Sequence, residues 1–299
     1  MKRLSFLAGA IALVPAALRQ AQGDTVARAQ DDTLRKRIER LANRFPGAIG
    51  VCARTLAPGD PLVAYRAYES FPTASTIKLL IMTTAYAMEE QYPGTLEARI
   101  RFDRSQLIAG SDFMTDASDG QTFTVRELIV PMIQVSDNTA ANLLIEHFGV
   151  RAINEVGHQA GLLQTHLQRK FLDWYAIVKH EDNVSTPGDM AHLLYLIESG
   201  AHEGTRTIVS APACRTMIQT MLGQTDRDAI PAALPAGTQV ANKTGEIEGT
   251  RNDVAVVAPF GDSPLIVAIM TKDAYDYTAS YAAIHAVTHM VYAAALKQG

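Results

Sequence analysis

Ser75-Thr-Ile-Lys78 is the stretch on which the reading of this chain turns. Pro72 and Thr73 stand before an apolar run that begins at Ile77, a pattern that predicts a helix start with Ser75 in its first turn. Unpaired N–H groups and the positive dipole end gather there, and they favour negative charge developing on the serine oxygen. Lys78 follows one turn along, so its amine returns to the face of the hydroxyl. Ile77, Leu79, Leu80 and Ile81 surround Lys78, which predicts a buried lysine. Beside another cation, such a group loses its proton easily and serves as a base. Taken alone the four residues are weak evidence, since a helix-start serine with a solvated lysine looks the same.

Working outward, Ser136-Asp-Asn138 and Lys243-Thr-Gly245 follow in that order. The first opens a helix expected over Thr139–Phe148 and on its own reads as an N-cap cluster. The second is expected to end a strand, where a lysine and a small hydroxyl face a cleft and glycine admits a ligand to the backbone. Other elements are legible from periodicity. Residues 31–43 predict an amphipathic helix; Gly47–Thr55 and Leu62–Tyr68 predict a hairpin across Ala57-Pro-Gly-Asp60. Thr76–Glu90, Val125–Gln134 and Pro187–Ser199 read as helices. Gln239–Lys243, Asp253–Ala258 and Leu265–Thr271 read as strands, and Ala279–Leu296 as a closing helix. The expected fold is α+β (α/β): a five-stranded antiparallel sheet covered by the N- and C-terminal helices, with an all-helical lobe inserted over about residues 70–235.

Composition narrows the setting. Lys2-Arg3 followed by the apolar Leu4–Leu18 reads as a secretory leader, expected over residues 1–29 with cleavage after Ala27-Arg-Ala29. The remainder, residues 30–299, would form one hydrolase domain, exported to the periplasm or secreted, with no stable membrane span after leader removal. Without the leader, the net charge of −4 becomes about −7. That argues against nucleic acid as a partner, because phosphate binding needs a concentrated basic surface. Cys52 and Cys214 are the two cysteines and are expected as buried thiols rather than a bridge. His285 and His289, one helical turn apart, have no evident third ligand, so no metal is expected. Asp112, Asp116 and Asp119 lack calcium-loop spacing and read as a solvated loop.

The conjunction of the three motifs resembles the penicillin-recognising serine hydrolases, specifically the class A β-lactamase-like fold. Thr124-Val-Arg-Glu-Leu-Ile129 and Thr186-Pro187 extend the likeness, which covers residues 31–299. The resemblance implies that Ser75 is the acylated nucleophile, Lys78 its proton acceptor and Ser136 the relay to the leaving nitrogen. Asn138 would hold the substrate's side-chain amide, and Lys243 and Thr244 its carboxylate, reinforced by Arg251. The oxyanion hole would be the N–H groups of Ser75 and Glu246, with Gly245 between. No cofactor is implied, and a monomer acting on a β-lactam or cell-wall peptide is expected.

One element of that family is missing. The loop Gln168–Asn183 contains no Glu-x-x-Leu-Asn, the segment that activates the deacylating water in class A β-lactamases. Counting back from Thr186-Pro187 sets Lys170 near the glutamate position, with Asp173 expected to pair with Arg169 and Glu181 as the other carboxylate. The Arg-Lys-x-x-Asp loop, Glu246 and Asn252-Asp253 look more like the branch that lacks this glutamate, as in cyanobacterial penicillin-binding protein A. Three functions follow: a D,D-peptidase; a β-lactamase whose water is activated by Asp173, Glu181 or Lys78; or a non-turnover penicillin or muropeptide receptor.

Overall fold

The computed structural model describes residues 24–297, with side chains from Thr33 onward. The leader expected over residues 1–29 therefore lies outside the described residues as far as residue 23. In chain order the elements are α1 (Asp24–Ala42), β1 (Ala48–Thr55), β2 (Val63–Tyr65), β3 (Phe71–Pro72), α2 (Lys78–Gln91), β4 (Arg99–Arg101), α3 (Asp112–Thr115), β5 (Thr122–Thr124), α4 (Val125–Gln134), α5 (Asn138–Phe148) and α6 (Val150–Gln159). They continue with α7 (Trp174–Val178), β6 (Val184–Ser185), α8 (Pro187–Glu203), α9 (Ala211–Leu222), β7 (Val240–Ile247), β8 (Thr250–Val257), β9 (Leu265–Lys272) and α10 (Tyr277–Ala295).

The main sheet has the order β2-β1-β9-β8-β7, with every pair antiparallel. Side chains on successive strand positions point to opposite faces, and here both faces are buried. Ile49, Val51 and Ala53 of β1, with Ala255 and Val257 of β8, join the core beneath α1 and α10. Ala48, Cys52, Val254 and Val256 join the second core, shared with α2, α4, α5, α8 and α9. The expected architecture thus stands, including the terminal helices on one face and the helical lobe on the other. Cys52 and Cys214 are free and buried. Among the described residues no helix is long and apolar enough to cross a membrane.

The differences sit where local backbone chemistry overrides periodicity. β2 stops at Tyr65 because Arg66 turns with φ 47°. Ser75 lies in a 3₁₀ turn, Ala74–Ile77, and the α-helix proper starts at Lys78. The expectation that Lys243-Thr-Gly245 ends its strand is corrected: β7 runs on to Ile247 and turns through Glu248-Gly249 into β8. Gly245 stays in the ladder because it is there for close approach, not for a turn. The short pair β3–β6, which the periodicity does not show, matches Phe71 with Ser185 and Pro72 with Val184. It joins the turn that carries Ser75 to the end of the Gln168–Asn183 loop.

Candidate active site

The turn that carries Ser75 is fixed by bonds from three directions. Thr73 N and Thr73 Oγ1 both donate to Asn183 O, at 2.8 and 3.0 Å. Thr76 Oγ1 donates to Thr73 O at 2.8 Å. From the sheet, Asn252 Nδ2 donates to Pro72 O at 2.8 Å and Thr73 O at 3.2 Å, while Asn252 Oδ1 accepts from Thr271 N. A Cβ placed on Gly245 would stand 2.6 Å from Thr73 O and 3.1 Å from Ser75 N. Glycine is what lets β7 lie against this turn.

Lys78 is fully buried. Its Nζ lies 3.1 Å from Ser75 Oγ, 2.6 Å from Ser136 O, 3.1 Å from Ser136 Oγ and 2.7 Å from Asn138 Oδ1. An ammonium has three hydrogens for these four oxygens. A neutral amine has two and a lone pair, which accepts from a hydroxyl. Burial, and then the charge of Lys243, push Lys78 well below the ordinary lysine pKa, against the pull of Asp137. Lys78 therefore gives up its proton more readily than an ordinary lysine, and its nitrogen lies 3.1 Å from Ser75 Oγ.

Ser136 stands at φ 59°, a conformation rare outside glycine. It is held there because Asp137 caps α5 by accepting from Ala140 N, and also accepts from Met114 N at 3.0 Å. The result sets Ser136 Oγ between two amines, 3.1 Å from Lys78 Nζ and 3.1 Å from Lys243 Nζ. Such a bridging hydroxyl can receive a proton on one side and release it on the other. Asn138 takes the Lys78 bond on Oδ1 and donates from Nδ2 to Ala109 O at 3.0 Å. Contact with a substrate amide falls to its second N–H and second lone pair.

Lys243 is fully buried in mid-strand, and burial pulls its pKa down to about 8, opposed by Asp253 and Asp226. Behind it lies Asp253, also fully buried and pushed up to about 7, again chiefly by burial. Asp253 accepts from Asn242 Nδ2 and from Ile230 N at 2.9 Å. Glu246 and Arg251 are opposite each other across β7–β8 and form an ion pair.

The Gln168–Asn183 loop corrects two expectations. Arg169 pairs with Asp182, not Asp173: its Nη2 lies 2.6 Å and its Nε 3.1 Å from Asp182 Oδ1. Asp173 instead caps α7, accepting from Ala176 N. Counting set Lys170 near the glutamate position, but the residue over the Lys78 amine is Phe171; its ring centre is 4.3 Å from Lys78 Nζ. Asn142 fixes it there, bonding both Phe171 N (2.7 Å) and Phe171 O (3.0 Å), while Lys170 reaches out to Glu146. Among the described residues neither Asp173 nor Glu181 bonds Ser75 or Lys78. Phe171, Asn142 and Asp182 were not read from the sequence, in which Phe171 is one of several apolar residues of the loop. Away from the site, His285 Nε2 is 2.7 Å from Asp228 O and His289 is exposed. Asp112, Asp116 and Asp119 are exposed, and Asp119 accepts from Arg104 N.

A serine, a buried lysine of lowered pKa, a bridging second serine and a lysine on an edge strand have the composition of a serine acyl-transfer site on an α+β scaffold. Comparison with known proteins gives the same class. The sequence matches the β-lactamase enzyme family over residues 33–295, and the chain belongs to that family. It is 31% identical over 238 residues to the carbapenem-hydrolysing β-lactamase KPC of Klebsiella oxytoca, covering 78% of each protein. The crystal structure of a β-lactamase from Burkholderia phymatum superposes with a TM-score of 0.79 at 32% identity, covering 89% of this chain and 99% of that one. PBP-A superposes with 0.78 at 26% identity, covering 89% and 96%. A single-residue variant of PBP-A has been solved as an acyl-enzyme with penicillin G.

Proposed function

We propose that this protein is an exported serine acyl-hydrolase in which Ser75 is acylated by β-lactams and by D-Ala-D-Ala peptides, with D,D-peptidase turnover and slow release of β-lactams. In this reading Lys78 takes the Ser75 proton as Oγ attacks the carbonyl, and the N–H groups of Ser75 and Glu246 receive the oxyanion. Ser136 passes the proton to the departing nitrogen, while Lys243 and Thr244 hold the carboxylate. The relatives named as β-lactamases, and the penicillin acyl-enzyme of the PBP-A variant, support a β-lactam as ligand. Export rests on the basic and apolar N-terminal sequence.

The observation that carries the slow step is Phe171. Hydrolysis of the acyl-enzyme needs a base to activate water, and positioned base assistance is worth about 10²–10⁴-fold. Over Lys78 the loop offers an aromatic ring and no carboxylate. A β-lactam keeps its leaving nitrogen tethered to the acyl group, so it stays bound where a released D-Ala would clear the site for water.

The test is labelling with a fluorescent penicillin followed by a chase with unlabelled drug, alongside D-Ala release from a model peptide. Persistent label with D-Ala release is expected. Rapid loss of label would mean a working β-lactamase, and persistent label without D-Ala release a receptor. Labelling that survives Ser75→Ala would overturn the mechanism.

A further inference from the structure

Arg251 is a buried guanidinium with an exposed partner. Its side chain is 8% exposed and that of Glu246 55%. The guanidinium lies 3.7 Å over the Tyr277 ring, donates from Nη1 to Thr250 O, and leaves Nε buried without a hydrogen-bond partner. Thr244 is on the same strand face, two residues before Glu246, and Thr244, Gly245, Glu246 and Arg251 line one narrow cleft between β7–β8 and α10, with Asp226 and Tyr281 also in its wall. A guanidinium and a hydroxyl converging on a cleft beside Lys243 suit a carboxylate. In this structure the carboxylate on Arg251 is the protein's own. The stacked, buried arginine is the fixed member of the pair, and the half-exposed Glu246 is the member able to swing away.

We propose that Glu246 is a specificity-determining residue: its carboxylate competes with the ligand's carboxylate for Arg251, leaving Lys243 and Thr244 as the anchors and penalising anionic ligands. The inference rests on the acyl-hydrolase reading above and adds which residue sets affinity for the ligand's carboxylate. A ligand carboxylate that engages Arg251 must first displace this ion pair. The competition weakens binding without touching Ser75, Lys78 or Ser136.

The experiment is the second-order rate of Ser75 acylation by benzylpenicillin in the wild type, Glu246→Gln, Arg251→Ala and Glu246→Gln/Arg251→Ala proteins, the gain without Arg251 being read against Arg251→Ala. Glutamine keeps the shape and the backbone N–H while removing the charge. Glu246→Gln should acylate about 2–5-fold faster, the upper part of the range expected from releasing one partly exposed ion pair. The gain should lie in the concentration giving half-maximal rate, not in the limiting rate, and should vanish in the double variant. No gain in Glu246→Gln, or a gain that persists without Arg251, overturns the inference. Equilibrium binding of benzylpenicillin to Ser75→Ala, with and without Glu246→Gln, reads the same competition without acylation. Absence of acylation in every protein would then count against the proposed function, while tighter binding in the glutamine variant would still support the role of Glu246.

Discussion

A phenyl ring 4.3 Å from Lys78 Nζ can stabilise an ammonium through its π face, but it has no site to accept a proton. In the proposed mechanism it therefore helps the step in which Lys78 takes the serine proton and gives nothing to the step in which water must lose one. Replacing it with a carboxylate should separate the two. Phe171→Glu is expected to shorten the lifetime of the penicilloyl-enzyme by about 10²-fold or more, measured as loss of fluorescent label in a chase, with acylation itself changed much less. An unchanged lifetime would show that the ring is not what withholds the base. Lys243 makes a second residue-level prediction. Its pKa of about 8 means that the proposed carboxylate anchor loses its charge as pH rises through that value. Acylation by a carboxylate-bearing β-lactam should therefore fall along an alkaline limb near pH 8. Lys243→Arg, which keeps its charge throughout, should flatten that limb even if its maximum rate is lower; a limb that stays at pH 8 would assign it to another group.

Between elements, the contact that matters is β7 against the Ala74–Ile77 turn. Gly245→Ala would bring a methyl to 2.6 Å from Thr73 O, a backbone atom held by Asn252 and unable to swing aside. Strand and turn must part by a few tenths of an ångström, moving Lys243 and the Glu246 N–H relative to Ser75. Acylation is expected to drop about 10²-fold, while the far-UV circular dichroism stays native; an unaffected rate would mean the turn can follow the strand. The same contact explains what the sequence revealed and what it hid. Lys78 was legible because a charge set among Ile77, Leu79, Leu80 and Ile81 has no bland explanation, and the strands were legible from β-branched runs. Gly245 read as a strand end because glycine normally weakens a ladder, and only the neighbouring turn shows why it stays inside one. Arg169 read with Asp173 because both are near in sequence. Its real partner, Asp182, is brought round by a loop whose ends are tied by Asn183 to Gln168 N and Arg169 N. Phe171 carried no signal at all, since a ring aimed at an amine looks in sequence like any apolar residue.

At the scale of the whole molecule, stability and pH are linked through carboxyls that the fold buries. Glu198 of α8 is fully buried, accepts from Phe260 N on Oε1 at 2.9 Å, and leaves Oε2 without a partner among the described residues. Burial pushes its pKa up to about 7, well above a free glutamate near 4.3. Because the folded protein holds this proton more tightly than the unfolded chain, stability is greatest below the unfolded value. It declines as pH rises toward 7, where the buried charge must be carried. Asp253, also near 7, acts in the same direction over a similar window, so the two together tilt the stability profile toward mild acid. Glu198→Gln removes one of them while keeping the acceptor for Phe260 N. It should stabilise the protein by on the order of 1–3 kcal/mol at pH 8 and by nearly nothing at pH 4.5, read as the difference in denaturant midpoint at the two pH values. Glu198 is far in sequence from every catalytic motif, and its replacement leaves Asp253 and the Lys243 environment in place. The acylation pH profile should therefore stay fixed while the stability profile flattens. A variant that gained equally at both pH values would mean that better packing, not a relieved buried charge, is responsible.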